Sequence, residues 1–194
     1  MGRRPSETLF MSLKHAILVL LEQEDSSGYD LLKRFKEHLG FFWQASHQQL
    51  YKQLGQMHDA GLIDCQLAEQ SGKPDKKIYS ISPAGYQCLI DWMNSQSKPQ
   101  KVNDSLLVKL YGGHVVAPEI LLAEIQHSRE QHEKTLMLLQ TMEQNYLSLS
   151  AQAKEKYALP YLTLRRGILG EQAWLSWADE VESYLQILTK KNGA

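Results

Sequence analysis

Apolar residues recur every three or four positions through three stretches of the first sixty residues, the spacing of helices with one buried face. Leu13, Ile17, Leu20 and Leu21 mark the first, with Ser12 placed to cap it and the polar run 22–27 to end it. Ser27 and Gly28 open a second, with Tyr29, Leu32, Phe35 and Leu39 on one face and Gly40 just past its end. After the aromatic connector Phe41-Phe42-Trp43, Ser46 caps a third whose buried stripe is Leu50, Leu54 and Met57 and whose stop is Gly61.

The period then changes. The β-prone runs 62–67 and 78–81 flank a turn-rich segment, 71–77, that contains both Gly72 and Pro74, which predicts a hairpin. Three helices followed by a hairpin is the order of a winged helix-turn-helix, in which the third helix enters the major groove and the wing follows the phosphate backbone. The third helix carries His47, Gln48, Tyr51, Lys52 and Gly55 opposite its buried stripe. In an isolated helix such a face is simply solvated, and the hairpin that follows is what favours a groove. A Gln bonds adenine with two hydrogen bonds, a Lys reaches guanine or phosphate, and first-turn amides accommodate a phosphate.

The polar stretch 94–103 separates this module from a second half with few strand signals. The predicted organisation is a DNA-binding domain over 1–95 with a flexible arm at 1–10, a linker at 96–103, and a helical dimerisation domain over 104–194. Asp104 caps a short helix to Tyr111, Gly112-Gly113 stops it, and Pro118 starts a long helix at its favoured first position. Along that helix Leu121, Ile125, Ser128, His132, Leu136, Leu139, Met142 and Tyr146 form a coiled-coil-like seam with two polar members in its middle. Pro160 initiates a second long helix with Leu164, Ile168, Trp174, Ala178, Val181, Leu185 and Leu188 on its apolar side. Two long helices are too thin a layer to bury both stripes, so a homodimer is expected, held by Leu121, Ile125, Leu136, Leu139, Trp174, Trp177, Val181 and Leu185. The fold class is mainly α with a small β-hairpin wing.

Charge does not announce a nucleic-acid partner. The chain sums to −1, and residues 1–95 hold ten Lys and Arg against eleven Asp and Glu. Positive charge is local instead: Lys73, Lys76 and Lys77 in the wing, with Lys33, Arg34 and Lys36 as a second spot that a dimer would double. Neither a membrane span nor a secretory leader is visible, so a cytoplasmic protein is expected. Two cysteines, Cys65 and Cys88, allow no disulfide framework or paired zinc ligands and read as packing residues. Glu124-x-x-His127 has the spacing of half a di-iron motif without its second half. His127, Glu130 and Glu133 read as a solvated face, with His132 half-buried in the seam. Neither a nucleophile elbow nor a phosphate loop, dinucleotide fingerprint or zinc-protease motif occurs, so no enzyme, cofactor or metal is expected. Trp174 and Trp177 share a face that reads first as aromatic packing and second as the wall of a small-molecule pocket.

From Met11 to about Trp92 the chain resembles the PadR family of transcriptional regulators, through SLKHAILVLL, SSGYDLLKRF, ASHQQLYKQLGQMHDAGLI, GKPDKKIYSIS and PAGYQCLIDW. FFWQASHQQLY and LTLRRGILGEQAWLSWADE resemble the AphA-like virulence-activator branch. The resemblance implies dimeric, sequence-specific binding to promoter DNA without catalysis or a required metal. Carried over by position, it makes Ser46, His47, Gln48, Gln49, Tyr51 and Lys52 the recognition helix, and Lys73, Lys76 and Lys77 the phosphate contacts of the wing. RNA polymerase or another transcription regulator is a further candidate partner, and the branch tilts the expectation toward an activator. Arg3 and Arg4 precede the family's usual start and belong to the expected arm. The competing reading is a ligand-sensing or protein-adaptor dimer whose winged helix makes protein contacts.

Overall fold

A computed structural model describes residues 13–43, 45–68, 76–97 and 103–192; the expected arm, the Ser12 cap and most of the expected linker lie outside these. The chain divides into two compact units, Met1–Gln100 and Lys101–Ala194.

In the first unit, α1 (Leu13–Gln23), α2 (Gly28–His38) and α3 (His47–Asp59) enclose a core with Ile17, Leu18, Leu20, Leu21, Leu31, Phe35, Leu50, Leu54 and Met57 at its centre. Five of the six residues from His15 to Leu20 are buried, because α1 is the central helix and is covered on several sides. One stripe was expected on it. Tyr29, assigned to the buried face of α2, is 70% exposed, and Leu31 takes its place in the core.

Ser27 caps α2 by accepting the Asp30 amide, and Ser46 caps α3 by accepting the Gln49 amide. At the other end of α3, Gly61 adopts φ 69°. Its N–H bonds to His58 O, and Leu62 N–H bonds to Met57 O, a glycine-dependent stop that turns the chain into the sheet.

β2 (Ile63–Ala68) and β3 (Lys76–Ile81) pair antiparallel with Ile63 opposite Ile81 and Ala68 opposite Lys76. A two-residue strand, β1 (Ser26–Ser27), pairs with the other edge of β3 and makes a three-stranded sheet ordered β1-β3-β2. It was not anticipated, because two serines before a helix carry no strand pattern.

The structure also adds α4 (Pro83–Met93), which sends Leu89 and Trp92 onto the core. Its sequence signal was present in Ser82 as cap and Pro83 as first helical residue. Ser82 Oγ donates to Gly61 O at 2.6 Å and accepts from Gly85 N at 3.0 Å, joining the start of α4 to the end of α3.

The second unit is built on α6 (Pro118–Leu147) and α8 (Ala158–Asn192), which pack along their length, with α5 (Ser105–Tyr111) at one end. A short 3-10 turn, Gly113–Val115, links α5 to α6. α7 (Ala151–Lys156), capped by Ser150, precedes α8 and was not predicted. α8 also starts two residues before the proposed Pro160. Proline is tolerated there because the first-turn amides have no partner inside the helix.

Candidate nucleic-acid interface

α3 presents the outer face drawn from its period. His47, Gln48, Tyr51 and Lys52 are exposed, while Leu50, Leu54 and Met57 are sealed below them. Ser46 and Gln49 have other work. The Ser46 N–H donates to Gln49 Oε1 at 2.9 Å and the Gln49 N–H donates to Ser46 Oγ at 3.2 Å. This reciprocal box closes the N-terminus of α3 and engages both side chains with the backbone.

Tyr51 is held from two sides. Its ring lies 4.3 Å from that of His47, and a Cβ at Gly28 would fall 2.7 Å from its Cε1. Gly28 thus leaves the space that Tyr51 fills, and α2 sets where α3 carries its aromatic residue. With Gln48 and Lys52 one turn apart, the free face offers an amide, an ammonium, an imidazole and a phenol, all hydrogen-bonding groups suited to base edges and phosphates.

The hairpin follows α3 directly, and its strands bring Lys76 and Lys77 to one end of the sheet. Lys77 is exposed, opposite Leu67. Lys76 is not free: its Nζ donates to Asp30 Oδ2 at 2.7 Å, from β3 to the first turn of α2. That bond is the main reason the Asp30 carboxyl sits below the usual carboxylate range, with a second bond from Ser27 adding to it. Lys73, Pro74 and Asp75 lie outside the described residues.

The second positive spot also shrinks. Arg34 donates from Nη1 to Glu24 O and Ser26 Oγ, and from Nη2 to Leu20 O. It closes the carbonyl end of α1, as cations near helix C-termini do, and is not surface charge for a ligand. Lys33 sits 3.9 Å from Glu37 and Lys36 is exposed.

In the second unit, Leu121, Ile125, Leu139 and Leu185, named above as dimer contacts, are buried within the chain itself. They lie in the layer between α6 and α8. Leu136, Trp174, Trp177 and Val181 are half-buried. His132 stacks on Trp174 at 3.7 Å and its Nδ1 faces Glu171 Oε2 at 2.5 Å. One turn away, Arg129 bonds Glu182 at 2.7 Å and Asp179 at 2.6 Å. Tyr161 and Arg165 converge on Glu143. These polar rungs fix the register of α6 against α8, since a shift by one turn would strand every charge.

Trp177 lines an open groove of about 790 Å³, walled also by Leu110, Tyr111, Val116, Tyr184 and Leu188. Tyr111 is 93% exposed, and Val108, Val115, Leu159 and Leu162 are exposed as well. Among the described residues no helix is long and apolar enough to cross a membrane, and no group of three or more His, Cys, Asp or Glu is arranged to hold a metal ion. Glu124 pairs with Lys109 at 2.7 Å.

Comparison with known proteins gives this geometry relatives. Residues 17–90 match the model of the transcriptional regulator PadR-like family, and residues 102–186 match the virulence activator alpha C-terminal domain. A Mycobacterium tuberculosis protein named "Probable transcriptional regulator Rv1176c" is 33% identical over 186 residues, 91% of this chain and 98% of its own length. The negative transcriptional regulator PadR of Bacillus subtilis is 33% identical over 184 residues, 92% of this chain and 98% of its own. Its structure in complex with operator DNA superimposes with a TM-score of 0.77, covering 89% of this chain and 98% of that one. The Vibrio cholerae virulence activator AphA gives 0.77 at 35% identity, covering 91% and 99%. The chain belongs to the PadR-like family of transcriptional regulators, with a C-terminal half of the virulence-activator type.

Proposed function

We propose that this regulator binds promoter DNA as a homodimer, with α3 in the major groove and the wing along the phosphate backbone. The observation that carries the reading is the face of α3, where His47, Gln48, Tyr51 and Lys52 are all exposed on a helix whose N-terminus is closed by its own capping box. The operator complex of Bacillus subtilis PadR supports it. In this reading Gln48 reads a base edge, Lys52 and His47 reach an adjacent base or phosphate, and Lys73 and Lys77 contact phosphates. The dimer is held through the second unit. Its residues Val108, Tyr111, Val115, Leu159 and Leu162 leave more apolar surface in water than the chain can cover alone. Such a protein acts in the cytoplasm, without cofactor or catalysis, and meets RNA polymerase or another regulator at its promoter.

Binding to sheared genomic DNA in competition, at two salt concentrations, tests the reading. Enrichment of one roughly two-fold-symmetric site is the expected result. Replacing Gln48 with Ala should then reduce discrimination between sites by about 1–3 kcal/mol.

The internal engagement of both Arg34 and Lys76 favours one competing reading, a ligand-sensing or adaptor dimer whose winged helix touches protein. Replacing Lys73, Lys76 and Lys77 together with Ala separates the two. A DNA reader loses affinity for all sequences and shows a shallower salt dependence, whereas an adaptor is indifferent.

A further inference from the structure

Three contacts converge where the wing meets α2. β1 pairs with β3 through Ser26 opposite Tyr79 and Ser27 opposite Ile78, which sets the N-cap of α2 against the root of the wing. Ser27 Oγ accepts the Asp30 amide at 3.2 Å and donates to Asp30 Oδ2 at 2.8 Å. Lys76 Nζ donates to the same Oδ2 at 2.7 Å. The cap itself is the contact of Ser27 Oγ with the Asp30 amide, while the Asp30 carboxylate accepts the Ser27 hydroxyl and also holds Lys76. Lys33, the other cation acting on Asp30, is itself near Glu37 and leaves Lys76 as the direct partner.

We propose that Asp30 is a specificity-determining residue whose carboxylate stands in for a DNA phosphate and keeps Lys76 off the backbone of unselected DNA. The inference rests on the DNA-binding reading above. Affinity for unselected DNA comes almost wholly from phosphates neutralised by cations, with release of their counterions. A lysine already neutralised at 2.7 Å releases none. Holding one wing lysine in this way lowers binding to the vast excess of competing sites, while the base contacts of α3 are untouched, and the ratio between operator and background rises.

The test is the salt dependence of binding to a random-sequence duplex, by fluorescence anisotropy, for the wild type, Asp30→Asn, Lys76→Gln and the double variant. Asn keeps the size of Asp30 and leaves the Ser27 cap in place, and Lys76→Gln alters only a strand-end side chain, with thermal melts to verify folding. Asp30→Asn should bind more tightly at low salt and steepen the log–log slope by about 0.9 for each wing on the duplex, about 1.8 for the homodimer, or about twelvefold more weakening between about 50 and 200 mM salt. The double variant, which keeps the net charge of the pair at zero, should match the wild type, and Lys76→Gln, which leaves Asp30 uncompensated, should bind no more tightly than the wild type. The proposal is overturned if Asp30→Asn leaves the slope unchanged, or if the double variant keeps the gain, which would assign it to the charge of Asp30 alone. It is equally overturned if the double variant shows a shallower slope than the wild type, since Lys76 would then already be on phosphate. Absence of binding by all four proteins would be a different failure, that of the DNA reading itself, and this inference would fall with it.

Discussion

Replacing His15 with Gln should remove most of the acid sensitivity of the winged-helix unit. His15 lies on α1, 5% exposed, with its ring stacked 4.6 Å from Trp92 of α4. Burial pushes its imidazole down to about 4 from an ordinary 6.5, and Lys14 adds to the shift. As pH falls, the unfolded chain therefore takes up a proton near 6.5 while the native chain does not until about 4. The stabilisation is complete above 6.5 and is lost between 6.5 and 4, for a total of about 3 kcal/mol. By pH 5 about 2 kcal/mol of this is gone. Asp30, held below its ordinary 3.8, contributes loss only at lower pH, so it does not confuse this window. Urea unfolding of the wild type and His15→Gln at pH 7 and pH 5 measures the difference directly. The wild type should lose about 2 kcal/mol more than the variant between the two. Parallel losses, or an NMR titration of His15 near 6.5, would refute the reasoning.

Three further outcomes follow from the same geometry. Gly85→Ala would place a Cβ 2.0 Å from the backbone oxygen of Leu62, which cannot swing away, and should cost about 3 kcal/mol or more in a thermal melt. Gly28→Ala meets only the mobile end of Tyr51, so its melt should shift by about 1 kcal/mol or less while the preference among DNA sites changes. Arg129→Ala leaves Glu182, whose side chain is 17% exposed, without its cation, and should destabilise the second unit by about 2 kcal/mol. A melt unchanged within error would show that the α6–α8 register does not depend on that rung.

Much of the candidate interface was legible in the sequence, because the exposed face of one helix is a local property. The stripe Leu50, Leu54 and Met57 fixes which side of α3 is buried, so His47, Gln48, Tyr51 and Lys52 follow on the other by period alone. Helix ends were legible where a residue's chemistry is specific to an end, as at Ser46, Gly61, Asp104 and Pro118. Less was visible where one residue type serves several roles. Gln49 has the same amide as Gln48, and only its place three residues after a serine cap commits it to the backbone.

The chain's own pattern thus determined the three helices of the first unit, the hairpin, the two long helices of the second and the outer face of α3, since these depend on neighbours within a few residues. Tertiary structure alone decided which of the exposed-looking charges are available. Lys76 meets Asp30 across 46 positions, and Arg34 reaches Leu20 across 14. It likewise decided that Leu121, Ile125, Leu139 and Leu185 are buried within their own chain, because α6 and α8 return against each other. An amphipathic period states that a stripe will be covered; what covers it, and which cation a distant carboxylate will claim, depends on contacts between segments far apart in sequence.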